Sequence, residues 1–258
     1  MLGAIAGDMI GSPFEWHNHK SKEFELFTEA SRFTDDSVLT IALADSLLSG
    51  VPYSQKLKEY FWRYPHAGYG GRFFRWAGSD DTRPYNSFGN GSAMRVSPVG
   101  WYFNDLSTVL SKARNSAAVT HDHPEGIKGA QATASAIFLA RSGENKADIR
   151  EFIVERFGYV FDFTLDEIRP HYRFDVTCQG SVPQALQAFF EANDFEDAVR
   201  NAVSIGGDSD TISCITGGIA EAFYGEIPAN IRKEVFNRLD EPMAAITREF
   251  LRAVGRPV

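Results

Sequence analysis

Apolar residues return every three to four positions along most of this chain, a spacing typical of amphipathic helices. The windows with this pattern are 53–64, 105–118, 126–141, 148–157, 182–192, 195–202, 231–239 and 241–254. Three further segments, 2–10, 38–44 and 212–220, are apolar on all sides and predict buried helices. Only 159–164 has the composition of a short strand. The pattern therefore predicts an all-α protein, and because no linker or repeat interrupts it, a single domain over 1–258.

The first apolar segment carries glycine at every fourth position, at Gly3, Gly7 and Gly11. Each glycine costs about 1 kcal/mol against alanine within a helix, so the repeat predicts a close contact that compensates. We expect that contact to be with another helix rich in small residues, most simply the region of Gly217, Gly218 and Ala222. Asp8 within this segment and Glu15 after it are, taken singly, typical of surface carboxylates.

Two clusters of oxygen-bearing side chains stand immediately before apolar helices. The first contains Thr34, Asp35 and Asp36, and the second contains Asp208, Asp210 and Thr211 after a pair of glycines. Helix starts favour negative charge, but one capping side chain satisfies a helix N-terminus. Hard divalent cations prefer clustered carboxylate and hydroxyl oxygens, and six such side chains suffice for a two-metal site. A metal site is the favoured interpretation, and two independent N-caps are the alternative.

Between residues 65 and 91 the helical periodicity disappears. Glycine-rich stretches at 66–71 and 87–92 enclose several aromatic residues. Long loops without regular structure are usually functional or disordered, and aromatic residues argue against disorder. The segment therefore predicts a binding loop, with an aromatic-anchored surface loop as the alternative.

His121 and His123 have the spacing of a zinc-binding pair, but no cysteine or histidine cluster completes such a site. A structural role for two polar residues at a helix entry is the favoured interpretation.

The formal net charge of −8 argues against general nucleic-acid binding and against anionic membranes. Cys178 and Cys214 are far apart and lack metal-ligand spacing, which suits buried thiols in a reducing compartment. The N-terminal segment has no basic leader, and Asp8 interrupts its apolar run. We therefore expect a soluble, cytoplasmic protein without a membrane span.

Several short motifs, in order along the chain, resemble the ADP-ribosylglycohydrolase family, which includes the dinitrogenase-reductase-activating glycohydrolases. The motifs are Ala6-Gly7-Asp8, Glu15, Thr34-Asp35-Asp36-Ser37, Gly89-Asn90-Gly91-Ser92-Ala93-Met94-Arg95, Thr120-His121 and Gly206-Gly207-Asp208-Ser209-Asp210-Thr211. The pairing of the last motif with Thr-Asp-Asp is highly specific. The segments 66–86 and 144–178 show no pattern that aligns with the family.

The resemblance implies a compact orthogonal multi-helix bundle with a binuclear metal site at helix N-termini. It implies hydrolysis of the bond between ADP-ribose and an acceptor, either a modified protein side chain or a small conjugate, with free ADP-ribose as product. Nucleic acid is expected only as a modified substrate. The implied ligands of two Mg²⁺ or Mn²⁺ ions are Thr34, Asp35, Asp36, Asp208, Asp210 and Thr211.

The same resemblance implies that Glu15 is a mobile or water-activating carboxylate, which acts with Asp36 in catalysis. The implied substrate-binding residues are Ser87, Phe88, Gly89, Asn90, Gly91, Ser92, Met94 and His121. We expect the backbone of the glycine loop to wrap the diphosphate, and Phe88 or Tyr85 to stack on the adenine.

Two other functions stay open at this point. An ADP-ribose-binding module without turnover would use the same pocket, although it has no need of the full ligand set. A different binuclear-metal hydrolase, acting on a nucleotide-like phosphoester, would use the same carboxylates. The acceptor atom is not determined by the sequence.

Overall fold

The computed structural model describes residues 1–257, and helices make up nearly all of their regular structure. Val258, the last residue of the predicted single domain, lies outside the described residues. The helices are α1 Leu2–Gly11, α2 Asp35–Ser49, α3 Tyr53–Arg63, α4 Gly71–Ala77, α5 Gly91–Met94, α6 Ser97–Tyr102, α7 Leu106–Ala118, α8 Pro124–Arg141, α9 Lys146–Phe157, α10 Leu165–Ile168, α11 Cys178–Phe190, α12 Phe195–Ser204, α13 Ser209–Tyr224, α14 Ala229–Arg238 and α15 Glu241–Ala253. Their buried apolar side chains form one continuous core from Met1 to Leu251. The all-α prediction is confirmed.

The centre of the fold is the contact between α1 and α13, both of which are buried almost throughout. A methyl group placed on Gly3, Gly7 or Gly11 would overlap the backbone carbonyl oxygens of Gly217, Ser213 and Ser209, respectively. The two helices therefore touch backbone to backbone over three successive turns, which explains the glycine repeat. Because the residue numbers run in opposite directions, the helices are antiparallel, and the end of α1 lies beside the start of α13.

The start of α2 joins this meeting point through Asp8 of α1. The Asp8 carboxylate accepts hydrogen bonds from the backbone N–H groups of Thr34, at 2.9 Å, and of Ser37, at 3.1 Å. Two acidic helix starts and the end of α1 are thus held together at one end of the bundle.

The structure corrects two local predictions. Residues 159–164 form no strand: Tyr159 and Phe161 are buried and Val160 is exposed, so the alternation reflects an extended segment packed on helices. The supposedly structureless stretch 65–91 contains α4. This short helix is held by ring contacts of Phe73, which stacks on Tyr69 with centroids 5.3 Å apart. Phe74 also packs edge-on against Phe61 of α3, with centroids 5.0 Å apart, and a ring contact between two helices leaves no helical periodicity in the sequence.

Two further expectations from the sequence concern the cysteines and membrane-spanning helices. Cys178 and Cys214 are both free and buried, as predicted. Within residues 1–257, no helix has both the length and the apolar character needed to cross a bilayer.

Candidate active site

The two acidic helix starts line one cavity of about 490 Å³. The predicted site residues on its lining are Glu15, Asp35, Asp36, Ser87, Gly89, Asn90, Gly91, Met94, His121, Asp208, Asp210 and Thr211. Thr211 donates a hydrogen bond from Oγ1 to Oδ2 of Asp36, at 3.3 Å, although 175 positions separate them. The expected convergence of the two clusters is therefore present in the structure.

A first group of carboxylates consists of Asp8, Asp36 and Asp210, each with an oxygen within 4.8 Å of the others. Asp8 is fully buried, so the interpretation of this residue as a surface carboxylate is wrong. Its partners are Thr34 and Ser37, including a 2.7 Å hydrogen bond from Thr34 Oγ1. The one sign of this in the sequence is a single charge within a helix that is otherwise apolar on every side.

A second group consists of Glu15, Asp208 and Asp210, again with oxygens within 4.8 Å of one another. Asp210 therefore belongs to both groups. Asn90 Nδ2 donates to Asp208 Oδ2 at 2.6 Å and also to Ser181 Oγ at 3.0 Å. Through Asn90, the glycine loop is tied directly to the acidic groups.

Burial and mutual repulsion disfavour the charged state of these acids. Burial raises the pKa of Asp36 and of Asp210 well above the usual range, and neighbouring carboxylates raise it further. The pKa of half-buried Asp35 is raised for the same reasons. Glu15 has a pKa of about 7, again because of burial first and the nearby Asp208 second. Such a site gains from a bound cation, which would offset the repulsion.

The orientation of the side chains supports the fit of a divalent cation. Asp36 Oδ1 is buried and has no hydrogen-bond partner. Helix capping does not account for the carboxylates, because the side chain of Thr34 caps α2 by accepting from the N–H of Asp36, at 3.3 Å. Asp208, at the N-cap position of α13, makes no capping hydrogen bond with its side chain. The alternative of two N-caps therefore explains Thr34 but leaves Asp36 and Asp208 unexplained.

The backbone turn before α13 sets the position of the acidic residues at the start of that helix. Gly206 and Gly207 have φ values of 69° and 77°, in the left-handed region that glycine adopts without strain. The N–H of Gly207 donates to Asn18 Oδ1, at 3.2 Å, which joins the turn to the segment after Glu15.

Three predicted site residues lie outside the cavity lining: Thr34, Phe88 and Ser92. Thr34 is buried behind the acidic groups, against Asp8. Phe88 is 41 % exposed, with its ring 5.3 Å from that of His123. The Ser92 hydroxyl faces away and donates to the carbonyl of Gly126, at 2.7 Å. Tyr85, the other ring considered for the adenine, does line the cavity.

The sequence pattern missed the segment 174–178, which docks on the glycine loop. Asn90 N donates to the Val176 carbonyl at 2.8 Å, and Cys178 N donates to the Phe88 carbonyl at 2.9 Å. Phe174 and Val176 line the cavity as a result. No local motif marks such a segment, because its position depends on pairing with a loop almost 90 residues earlier in the chain.

Trp16 is a second residue that the sequence did not single out. It is 72 % exposed, lines the cavity and stacks on Phe174 with ring centroids 4.9 Å apart. The cavity therefore has an exposed aromatic pair on its lining, next to Glu15.

His121 is buried, lines the cavity and has Nδ1 2.7 Å from the hydroxyl oxygen of Thr120. Burial, and secondarily the positive charges of Arg95 and Arg72, hold its pKa well below the usual value. His123 instead caps α8 by accepting from the N–H of Glu125. The two histidines thus serve different purposes, which agrees with the interpretation that they form no zinc pair.

Comparison with known proteins agrees with this geometry. The family model described as ADP-ribosylglycohydrolase matches residues 1–256. "ADP-ribosylhydrolase ARH3" of Homo sapiens is 26% identical, over 87% of this chain and 84% of its own length. "ADP-ribosylarginine hydrolase Tri1" of Pseudomonas putida is 24% identical, over 87% of this chain and 69% of its own. A solved structure titled "ADP-ribosylglycohydrolase-related protein complex" superposes with a TM-score of 0.69 and 26% identity, covering 98% of this chain and 97% of that one.

Proposed function

This chain belongs to the ADP-ribosylglycohydrolase family, and from that premise we propose that it hydrolyses the glycosidic bond between ADP-ribose and an acceptor. The acceptor is a modified protein side chain or a small conjugate, and free ADP-ribose is the product. The observation that carries the proposal is the pair of carboxylate groups that share Asp210 inside one cavity with the glycine loop.

We propose that two divalent cations, Mg²⁺ or Mn²⁺, occupy the acidic groups. The unpartnered oxygen of Asp36 and the raised pKa values of the carboxylates support a hard cation there. The proposed ligands are Thr34, Asp35, Asp36, Asp208, Asp210 and Thr211. Asp8 stands behind them and accepts the hydroxyl proton of Thr34, so the Thr34 oxygen, which also accepts from the N–H of Asp36, keeps one lone pair for a cation.

Bound cations would supply positive charge that orients the ribose hydroxyls and lowers the pKa of water in the site. The protein supplies the remaining chemistry. Half-buried Glu15 has a carboxylate oxygen within 4.8 Å of those of Asp208 and Asp210, so it is placed to accept the proton of the water that attacks the anomeric carbon. Together with Asp36, it stabilises the positive charge that develops on the sugar as the acceptor leaves.

The contacts within the glycine loop narrow the proposed diphosphate cradle. The N–H of Gly89 donates to Ser87 Oγ, and that of Asn90 donates to Val176, so neither is free for a ligand. We therefore assign the cradle to the N–H groups of Gly91 and Ser92, in the first turn of α5, with His121 as a neighbouring donor. Met94 packs below them and is buried.

The test is a panel of ADP-ribosyl-arginine and ADP-ribosyl-serine peptides, incubated with Mg²⁺, Mn²⁺ or a chelator. We expect release of free ADP-ribose from at least one acceptor, in the presence of a cation only. Asp36→Asn should lower the rate on the order of a hundredfold or more, because even residues behind metal ligands typically contribute 10–100-fold. Asp45→Asn is the control on the same helix, since Asp45 pairs with Lys56 away from the cavity.

Other outcomes separate the alternatives. Tight binding of ADP-ribose without release from any acceptor identifies a binding module. Release of phosphate from nucleotide phosphoesters, when the protein is incubated with the same cations, identifies a phosphoesterase.

The relative that is named an ADP-ribosylarginine hydrolase supports arginine as an acceptor worth testing first. The two buried free thiols support the cytoplasmic location that we propose for the reaction.

A further inference from the structure

Arg95, directly after α5, is a buried cation without an anionic partner. It is fully buried, and no carboxylate within residues 1–257 lies at ion-pair distance. Burial lowers its pKa to about 10. An unpaired buried charge normally costs several kcal/mol, so its retention beside the cavity calls for an explanation.

The hydrogen bonds of Arg95 are concentrated on one nitrogen. Nη2 donates to the carbonyl of Ser116, at 3.0 Å, and to the hydroxyl oxygen of Thr120, at 2.7 Å. Nε and Nη1 have no partners and are shielded from solvent. Arg95 is on the cavity lining, but these two atoms are buried, so its hydrogen-bonded link to the side chains of the site is the one to Thr120.

The Thr120 hydroxyl links Arg95 to His121 through two hydrogen bonds. A guanidinium N–H only donates, so the Thr120 oxygen is the acceptor in its bond with Arg95. The hydroxyl proton then makes its short hydrogen bond to His121 Nδ1, at 2.7 Å, and Tyr85 is the other polar side chain beside it. If Nδ1 carried the proton instead, the Thr120 proton would have to turn away from its 2.7 Å partner and toward Tyr85.

The other ring nitrogen of His121 faces the glycine loop. An idealised Cβ on Gly91 would lie 3.3 Å from His121 Nε2, and one on Gly89 would lie 3.6 Å away. Only glycine leaves this space open between the imidazole and the loop backbone. Nε2 is therefore the atom of His121 that meets a ligand held by the loop.

We propose that Arg95, acting through the Thr120 hydroxyl, fixes His121 as the Nε2–H tautomer, so that the ring donates a hydrogen bond to a ligand oxygen in the glycine loop. Arg95 and Thr120 are positioning residues, and His121 is the group that touches the ligand. The identity of the ligand as ADP-ribose rests on the proposed function, whereas the tautomer does not. The positive charge of Arg95 also helps to keep the ring neutral, and therefore able to exist as one defined tautomer.

The tautomer is measured directly by long-range ¹⁵N–¹H correlation spectra of the histidine rings in the protein at pH 7.5. The His121 signals are assigned by their loss in His121→Gln. We expect a protonated Nε2 and an unprotonated Nδ1 in the wild type and in Thr120→Ser. In Thr120→Val, which removes the hydroxyl but keeps the shape, we expect mixed tautomers or a protonated Nδ1.

A matched control is available in α8, where Thr133 is buried and its hydroxyl has no partner. Thr133→Val should leave the His121 signals unchanged. In calorimetric titrations with ADP-ribose, Thr120→Val should weaken binding about five- to tenfold, the effect of one hydrogen bond, and Thr120→Ser should restore it.

A protonated Nδ1 in the wild-type protein overturns the proposal, as does an unchanged tautomer in Thr120→Val. If the tautomer behaves as expected but the wild type does not bind ADP-ribose, the proposed function fails and this inference stands. If ADP-ribose binds equally well to Thr120→Val while the tautomer changes, the donor role of His121 is refuted.

Discussion

Asp210→Asn should change the stability of this protein in opposite directions with and without divalent cations. Asp210 is the carboxylate that both acidic groups share. Asparagine keeps its size and retains the oxygen that accepts from the N–H of Thr211, at 2.9 Å. The substitution therefore removes a charge from the centre of the site and leaves the start of α13 intact.

The effect of Asp210→Asn on the stability of the cation-free protein follows from the environment of the Asp210 carboxyl group. Burial, Asp208 and Asp36 raise the pKa of Asp210 well above its usual value, so its charged form destabilises the cation-free fold. Each pKa unit corresponds to about 1.4 kcal/mol. Asp210→Asn should then stabilise the cation-free protein, and each kcal/mol gained appears as a rise in Tm of about 2–4 °C for a chain of this size.

With bound cations, the effect of Asp210→Asn on stability has the opposite sign. A ligand at one hundred times its Kd adds about 2.7 kcal/mol to the stability of the protein that binds it. Wild-type protein should therefore gain roughly 5–10 °C in Tm from saturating Mg²⁺ or Mn²⁺, and Asp210→Asn should lose most of that gain.

The assay is differential scanning calorimetry at pH 7.5, first in a chelator and then over a cation titration. Asp45→Asn is the matched control, because Asp45 accepts from Tyr60 at 3.0 Å and pairs with Lys56 at 2.9 Å. That substitution should lower Tm by the same amount in both conditions. A lower Tm for cation-free Asp210→Asn, or an undiminished response to cations, would refute the idea that carboxylate repulsion at Asp210 is relieved by a bound cation.

Three further outcomes are expected. Gly7→Ala should lower the unfolding free energy by about 1–3 kcal/mol or more, because its methyl group would overlap the backbone at Ser213. The control Gly71→Ala, which has open space around it, should not destabilise the protein. Equal effects of the two variants in urea titrations would contradict the packing argument. Cation-free stability should fall as pH rises from about 5 to 8, because the pKa of Glu15 is about 7 in the fold and 4.5 as its ordinary value, so the unfolded chain loses that proton first. Glu15→Gln should flatten this pH profile, and an unchanged slope in the variant would contradict the role given to Glu15. Trp16→Ala should leave Tm nearly unchanged, because the side chain is 72 % exposed, yet should raise KM for the modified acceptor; a large loss of Tm with an unaltered KM would assign Trp16 a purely structural role.

Most of the helices could be predicted because each buries a periodic apolar face, and that periodicity is local in the sequence. The glycine repeat of α1 also predicted its partner, since few helices in the chain have small residues at matching positions. The acidic clusters could be recognised because each has more carboxylates and hydroxyls than a helix cap requires. They also belong to motifs that occur in the same order in the family. These features share one property: the information lies within about ten consecutive residues.

The features that escaped prediction depend on contacts between distant segments. Asp8 stands out only as a single charge in an apolar helix, and its partners are not defined until α1 is known to lie against α13 and α2. The segment 174–178 reaches the cavity through pairing with the glycine loop, and Trp16 through its stack on Phe174. The relay from Arg95 to His121 requires the end of α7 to lie beside the end of α5.

The backbone contact between α1 and α13 links the stability of the fold to the chemistry of the site. Uncompensated carboxylates push Asp8 and Asp210 apart, and long flexible contacts would yield to that force. Three successive glycine turns without intervening side chains hold the two helices at the shortest separation available to them. Because packed backbone is stiff, this contact fixes the carboxylate oxygens within 4.8 Å of one another. The glycines therefore cost helix propensity in α1 and in return preorganise a site that would otherwise open by repulsion.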